Sequence, residues 1–241
     1  MIELWHEWNS VHSFKVRVVL QEKGVEWTDR TVELLRFEHL SPSYLRLNPN
    51  GVVPTLVHDG EAVLESSVIC EYLDDLFPDP ALLPAAPRLR AQCRAWLKYF
   101  DDVVHPAVRK ASFEMLYRPH LACMPPSELR ERLRSHPDPV RAAAFLKAAE
   151  GLPDQRAVAE SLKAFERIVL QIEGCLRERE WLSGDAFGMA DVAMAPFVER
   201  LDILALNALW TQPHGRAWAQ RVMQRPSVLQ SRAPARYRLP K

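Results

Sequence analysis

The chain has 241 residues, of which 48% are hydrophobic and 26% are charged, and such values are ordinary for a globular protein with a sizeable core. Lysine and arginine together number 31, as do aspartate and glutamate, so the formal net charge is zero. This balance gives no electrostatic reason to expect nucleic acid or an anionic membrane as a partner, and no apolar run approaches the roughly 20 residues of a membrane span.

Strand and helix patterns alternate in the first third of the chain. Short apolar or alternating runs predict strands over residues 2–6, 25–34, 55–58 and 61–64. A helical pattern over residues 13–23 ends at Gly24, and Ser66 opens a helix that stops before Pro78. An Asp-Gly turn joins the last two strands as a hairpin, and a short helix lies in the segment before them. The order βαβ followed by ββα predicts a mixed sheet with one parallel pair.

The second part of the chain lacks strand patterns. Residues 77–87 hold four of the 19 prolines and cannot form a continuous helix, so they are interpreted as a linker. Helical patterns follow over residues 88–111, over 155–179 and after Gly188, with two shorter ones inside the irregular stretch 117–154. We therefore expect a first domain over 1–77, a linker over 78–88 and an all-helical domain over 89–241.

The cysteines give no sign of metal binding or of disulfides. Four are widely spaced, without a CxxC or Cys/His metal pattern, at Cys70, Cys93, Cys123 and Cys175. The N-terminus has no basic stretch followed by an apolar segment, as a secretory signal would have. These observations predict free thiols, no metal and a cytoplasmic location.

A turn followed by a strand is the first candidate binding element. In residues 48–54, NPNGVVP, Pro49 and Gly51 predict a turn, while Pro54 begins a strand where its missing N–H is tolerated. A cis bond before Pro54 would leave the backbone of Val53 free to pair with an extended peptide, as an added strand would. The alternative is an ordinary Pro-Gly loop.

The pair Glu65 and Ser66 is the second candidate. Ser66 stands at a strand-to-helix boundary, where its hydroxyl and the first free N–H groups of the helix can bind a carboxylate. Glu65 beside it offers an anion for an ammonium group. A carboxylate receptor beside an ammonium receptor suits the end of an α-amino acid, although a simple capped helix would also explain Ser66.

Two stretches of the chain resemble the cytosolic glutathione transferases. Residues 38–78 carry LNPNGVVPTL and then Glu-Ser, matching the family's LNPxGxVPxL and E-S. Residues 181–201, WLSGDAFGMADVAMAPFVERL, resemble its L-x-G-D-x-(F/Y)-(S/T)-x-A-D element, with Gly188 in place of the Ser or Thr and Asp191 kept. The resemblance implies an α/β plus all-α fold, in which a thioredoxin-like βαβ-ββα domain precedes an all-helical domain.

The resemblance also implies ligands and partners. It predicts a homodimeric enzyme that takes glutathione as co-substrate and conjugates it to an apolar, electrophilic small molecule, with no metal, nucleic acid or membrane. Carried onto this chain, the backbone of Val53 pairs with the cysteinyl part of glutathione beside cis-Pro54. Glu65 and Ser66 hold the γ-glutamyl end.

His39 completes the implied glutathione contacts. It matches a histidine that several classes place near the glycyl carboxylate. The lysine that usually stands beside it is Leu40 in this chain. The resemblance therefore implies a contact at His39 without its usual second cation.

Activation of the glutathione thiol is expected from the loop before the first helix. Alignment with the serine and cysteine classes puts Ser10 at the activating position as a hydrogen-bond donor to the thiolate. Ser13, interpreted as the N-cap of the helix, and Asn9 are the alternatives, and His12 is interpreted as a surface loop histidine rather than a base. No cysteine stands in residues 7–13, which argues against the classes that act mainly as thiol reductases.

The stretch 137–154 and the segment ESSVICEYLDDLFP resemble bacterial transferases that cleave lignin β-aryl ethers and related fungal enzymes. The alternatives are a glutathione peroxidase, a non-catalytic carrier of aromatic ligands, and a fold that serves only to bind a partner. Candidate walls of the co-substrate pocket are Tyr99, Val103, Phe113, Met115, Tyr117 and Trp210, which would otherwise be helix core.

Overall fold

The computed structural model describes residues 1–239 and places a mixed four-stranded sheet in the first domain. Strand β1 (Ile2–His6) pairs in parallel with β2 (Thr28–Thr31) and antiparallel with β3 (Thr55–His58). Strand β4 (Glu61–Val63) forms the hairpin with β3, which gives the order β2-β1-β3-β4. The predicted fold class is confirmed, although β2 is shorter than the predicted run because residues 32–40 turn into two 3₁₀ turns.

Three helices complete this domain: α1 (Val11–Glu22), α2 (Pro42–Leu47) and α3 (Ser66–Leu76). Helix α1 begins before the predicted position, and its N-cap is Ser10, whose Oγ accepts the backbone N–H of Ser13 at 3.2 Å. The prediction that Ser13 caps the helix is therefore wrong. Because a cap residue lies outside the first turn, Ser10 stays at the surface of the domain while Ser13 is buried.

The helical domain begins with one long helix interrupted by two π turns. Its α-helical pieces are α4 (Pro87–Tyr99), α5 (His105–Ser112) and α6 (Arg118–Ala122). In the π turns, the backbone N–H of His105 donates to the carbonyl of Phe100 and that of Arg118 to the carbonyl of Phe113. A proline follows each turn, at Pro106 and Pro119, where the missing N–H would interrupt a regular ladder.

Six further helices follow: α7 (Pro126–Leu133), α8 (Pro139–Glu150), α9 (Gln155–Leu176), α10 (Met189–Ile203), α11 (Pro213–Gln224) and α12 (Pro226–Gln230). Helices α7 and α8 are the two short helices expected between α6 and α9. They pack against the first domain, where Leu129 and Leu133 share an apolar cluster with Phe37 and Leu40. The segment that carries them thereby covers the 48–54 turn, with Pro137 close to Gly51.

Asp191 organises the centre of the helical domain. Its buried carboxylate accepts backbone N–H groups of Leu182, Ser183 and Gly188 and the indole N–H of Trp218. A Cβ at Gly188 would meet the Leu82 carbonyl at 2.6 Å, which explains why glycine replaces the family's Ser or Thr. The hydroxyl of Ser183 accepts the N–H of Ala190 at 3.0 Å and so replaces the hydrogen bond that a capping side chain at position 188 would accept.

Candidate functional site

A cavity of about 300 Å³ lies between the first domain and helices α5 and α8. Seven of the eight predicted site residues line it: Asn9, Ser10, His39, Val53, Pro54, Glu65 and Ser66. The eighth, Ser13, is buried beneath the loop, where its Oγ accepts the N–H of Glu7 at 3.4 Å. The structure thus brings together residues that are up to 57 positions apart in the sequence, from Asn9 to Ser66.

Hydrogen bonding distinguishes the two candidates that reach the cavity from the thiol-activating loop. The side-chain amide of Asn9 donates to Oε1 of Glu7 at 2.7 Å and to the carbonyl of Tyr237 at 2.8 Å, so both of its N–H groups are occupied. The hydroxyl of Ser10 accepts a bond from the Ser13 N–H, and its own proton has no acceptor among residues 1–239. Ser10 therefore keeps a donor for a ligand at the N-terminus of α1.

The 48–54 turn is held by buried polar groups behind it. The Val53–Pro54 peptide bond is cis, as the resemblance implied. Tyr44 Oη and Asn48 Nδ2 both donate to the carbonyl of Val52, at 2.7 and 2.9 Å. Burial raises the pKa of Tyr44 to about 12, so its hydroxyl remains a donor at neutral pH. This fixed turn presents the backbone of Val53 to the cavity.

The start of α3 forms the next wall. Ser66 is its first residue, so the interpretation of Ser66 as the N-cap is wrong, and Glu65 takes that position without a side-chain cap bond. Glu65 is exposed with φ of 67°, a left-handed conformation that turns the chain from β4 into the helix. Nδ1 of His12 lies 3.0 Å from the Ser66 hydroxyl. The interpretation of His12 as a surface loop histidine is wrong, because it lies half-buried in the first turn of α1 with its ring 4.1 Å from that of His105. Burial lowers the pKa of His12 well below its ordinary value, which keeps the ring neutral.

His39 lines the cavity from the 3₁₀ turn Glu38–Leu40, before α2. It is buried, and its Nδ1 has no hydrogen-bond partner in the part of the chain that the structure describes. Burial lowers the pKa of His39 to about 4, and the nearby charges of His136 and Arg141 act in the same direction. A carboxylate bound there would supply the missing partner.

Two buried arginines that the sequence analysis missed support the loop of Ser10. Arg17 donates to the carbonyls of Glu7 at 3.2 Å and Trp8 at 2.8 Å, and its Nε donates to the carbonyl of Ser231 at 3.0 Å. Arg200 donates to the carbonyl of Asn9. The sequence does contain a sign of the first one. Arg17 stands inside the apolar helical run FKVRVVL, where a basic residue indicates a buried charge with polar partners.

The wall opposite the sheet is apolar, and two of the six residues predicted for it are present. Phe113 and Tyr117 line the cavity together with Val108 and Phe145. The other four lie elsewhere: Tyr99 packs on Trp96, Trp210 is 5% exposed in the core, and Val103 and Met115 are 43% and 41% exposed. The π turns explain part of this difference between prediction and structure. Each turn adds a residue to one helical turn, so the side chains that follow point in a different direction from those of a regular α-helix.

Residues 1–239 contain neither a metal-binding cluster nor a membrane-spanning helix. No cluster of three or more His, Cys, Asp or Glu side chains is arranged to hold a metal ion. In the same residues, every helix is too short or too polar to cross a membrane.

Comparison with protein families matches both parts of the chain. Residues 9–76 match the model described as glutathione S-transferase, N-terminal domain. Residues 121–226 match the model described as glutathione S-transferase, C-terminal domain. The cavity described above lies between the two matched regions and includes residues of both.

Individual proteins and solved structures are also similar to this chain over most of its length. Protein LigF of Sphingobium sp. is 32% identical over 184 residues, which cover 75% of this chain and 71% of that protein. The crystal structure of beta-etherase LigF superposes with a TM-score of 0.87 at 28% identity, over 95% of this chain and 98% of that one. Glutathione S-transferase U19 of Arabidopsis thaliana is 28% identical over 232 residues, 93% of this chain and 86% of that protein.

Proposed function

The chain belongs to the glutathione S-transferase family, and on that premise we propose that it transfers the glutathione thiolate to an apolar, aromatic electrophile. One observation carries the proposal. Ser10, with a free hydroxyl proton at the start of α1, lines the same cavity as the Val53 backbone and the start of α3, and that cavity ends on the apolar wall of Phe113 and Phe145.

The residues of the first domain fit each part of glutathione. The γ-glutamyl carboxylate suits the hydroxyl of Ser66 and the free N–H groups that begin α3, and Glu65 supplies the anion for its ammonium group. The backbone of Val53 suits the cysteinyl amide. His39, with its unpartnered Nδ1, is placed for the glycyl carboxylate.

Ser10 is assigned the activation of the thiol. Its hydroxyl donates to the sulfur while its oxygen keeps the bond from the Ser13 N–H, and the N-terminus of α1 adds partial positive charge. Both effects favour the thiolate and lower the thiol pKa from its ordinary value of about 8.5. The thiolate then attacks the electrophilic carbon, a C–S bond forms, and the leaving group departs with the electron pair of the bond that breaks.

Replacement of Ser10 tests this assignment. For Ser10→Ala we expect kcat to fall about 100-fold, as when one donor to a developing anion is removed. The dissociation constant of glutathione, measured by calorimetry, should change less than threefold. Unchanged kcat at saturating glutathione would exclude the role of Ser10.

Two further variants separate the donor from the helix cap. Ser10→Asp keeps a cap acceptor of similar strength but cannot donate to a thiolate, so it should be as slow as Ser10→Ala while remaining folded. Ser10→Thr keeps both functions and should retain most activity. A fast Ser10→Asp variant would show that the cap, rather than the donor, matters.

Ether cleavage is the second candidate function, favoured by the similarity to beta-etherase LigF. In that reaction the thiolate forms the C–S bond while a C–O bond breaks and a phenolate leaves, to be protonated by water. Release of a fluorescent phenol from a model β-aryl ether, dependent on glutathione, would support it. Binding of glutathione and ether without turnover of any electrophile or peroxide would favour a non-catalytic carrier instead.

The proposal extends to a homodimer located in the cytoplasm. Membership of the family is the support for both the homodimer and the cytoplasmic location. The linker over residues 78–88 keeps its interpretation as the joint between the two domains, since α3 ends at Leu76 and α4 begins at Pro87.

A further inference from the structure

Two arginines enter the cavity from the helical side without any partner. Arg109 lies on α5 and Arg141 on α8, and both line the cavity. Within residues 1–239 neither guanidinium forms a hydrogen bond or an ion pair. Arg141 is half-buried with its Nε inaccessible to solvent, whereas Arg109 is exposed. The arginines that support the Ser10 loop differ in this respect, because backbone carbonyls accept their bonds.

The lining around this pair offers almost no negative charge, since Glu65 is the only acidic residue among the described lining residues. His105 and His136 also line the cavity, but burial lowers the pKa of both, that of His105 to about 4, so both rings are neutral near pH 7. Asp138 is near Arg141 in sequence, but its carboxylate caps α8 by accepting the backbone N–H groups of Val140 and Arg141. Burial and the positive charge of Arg109 lower the pKa of Arg141, and the carboxylate of Asp138, which forms no bond to its guanidinium, only partly opposes them.

Position indicates which anion would bind there. Every residue assigned to glutathione belongs to the first domain, although the charge of Arg141 reaches one of them, His39. Arg109 and Arg141 instead project from the helical wall that also carries Phe113 and Phe145. A ligand that packs an aromatic ring on those side chains would bring a group on that ring to the guanidinium groups.

We infer that the co-substrate carries an anionic group, a carboxylate, which Arg109 and Arg141 bind beside the apolar wall. Guanidinium groups match carboxylates geometrically, and such charge-assisted bonds are about twice as strong as neutral ones. The inference rests on the proposed function in that it names the class of electrophile for the same site. The carboxylate itself takes no part in bond making.

A matched pair of electrophiles tests the inference. 4-Chloro-3-nitrobenzoate and its methyl ester differ in charge, and in each a C–S bond replaces the C–Cl bond while chloride leaves. Because the ester activates the ring more strongly than the carboxylate does, the informative quantity is the ratio of kcat/KM for the acid to that for the ester, compared between the unaltered protein and each variant. Arg141→Gln and Arg109→Gln should each lower kcat/KM for the acid about tenfold and leave that for the ester within twofold, because only the acid loses a charge-assisted bond.

Control variants separate a local contact from general charge. Lys147→Gln removes a positive charge from the exposed side of α8 and should change neither substrate. Arg141→Lys keeps the charge and should recover part of the preference for the acid. Equal losses for acid and ester in Arg141→Gln, or equal effects of Lys147→Gln, would overturn the inference.

Binding measurements distinguish this inference from the proposed function. The conjugate S-(4-carboxy-2-nitrophenyl)glutathione and its methyl ester can be titrated directly by calorimetry, without turnover. Tighter binding of the acid that is lost in Arg141→Gln would support the anion site even if no electrophile reacted, in which case the transferase proposal alone would fail. If Arg141→Gln instead weakened glutathione itself about tenfold and spared its glycyl ethyl ester, the arginine would bind the glycyl carboxylate and the inference would be wrong.

Discussion

The two sides of the cavity are built by different means. On the side of the first domain, many of the groups that face the ligand are backbone groups, at Val53 and at the N-termini of α1 and α3. They are joined by the side chains of Ser10, His39, Glu65 and Ser66. On the helical side the groups that face the ligand are side chains, Phe113 and Phe145 with Arg109 and Arg141, carried by helices that pack over the first domain.

This difference explains how one protein can keep one ligand and vary the other. The backbone of Val53 does not change when a neighbouring side chain is replaced. The side chains assigned to glutathione are few, so the rest of this side can vary around them. Side chains on the exposed faces of α5 and α8 can change without altering the fold, so the other side can select substrates. We therefore expect substitutions on one side to leave the ligand of the other side unaffected.

The largest effect on glutathione binding without an effect on electrophile preference is expected from Glu65→Gln. This change removes the anion assigned to the ammonium group of glutathione and should raise its dissociation constant about 30-fold, the loss of one bond to a charged group. The preference between electrophiles, compared at saturating glutathione, should stay the same. Glu61→Gln, an exposed glutamate in β4, is the matched control and should have no effect.

Phe145→Ala should give the converse result. Its ring packs on Phe113 and Phe37, and its loss should raise KM for an apolar aromatic electrophile about tenfold through lost apolar contact. The dissociation constant of glutathione should not move. Phe145→Leu keeps most of the apolar volume and should lie much closer to the unaltered protein; a change in glutathione binding in either variant would contradict the separation of the two sides.

The smallest effect concerns pH and His39, which lies where the two sides meet. Its pKa is about 4 in the folded protein against an ordinary value of 6.5, so the unfolded chain takes up the proton first as pH falls. Stability is therefore lost between about pH 6.5 and pH 4, and the loss from this residue between pH 7 and pH 5.5 is about 1 kcal/mol.

In His39→Gln this contribution should disappear, so urea unfolding midpoints at pH 7 and pH 5.5 should lie closer together than in the unaltered protein. His120→Gln, outside the cavity, serves as the control. An unchanged gap between the two midpoints in His39→Gln would show that His39 does not carry the acid sensitivity.

Local chemistry made the glutathione side predictable from sequence. Proline, glycine and serine act within a few residues, so the positions of the 48–54 turn and of the start of α3 were predicted correctly. Ser13 was mistaken for the cap because both serines precede an apolar run, and only the helix start at Val11 distinguishes them.

The helical side was harder to predict because it depends on the face that each helix presents. Two π turns shift that face, which the apolar pattern alone did not reveal, and Val103 and Met115 were assigned to the cavity although they face solvent. Arg109 and Arg141 went unnoticed because a charge on an amphipathic helix is ordinarily solvated.

The bond between Asn9 and the carbonyl of Tyr237 has a consequence for synthesis in the cell. The two residues are 228 positions apart, and the rings of Trp8 and Tyr237 stack with their centroids 5.9 Å apart. At about 5 to 20 residues per second, a ribosome needs about 10 to 50 s to make the chain between them. During that time the loop of Ser10 lacks both the bond to Tyr237 and the stacking of Tyr237 on Trp8, so a chain that ends before Tyr237 would never gain these two supports.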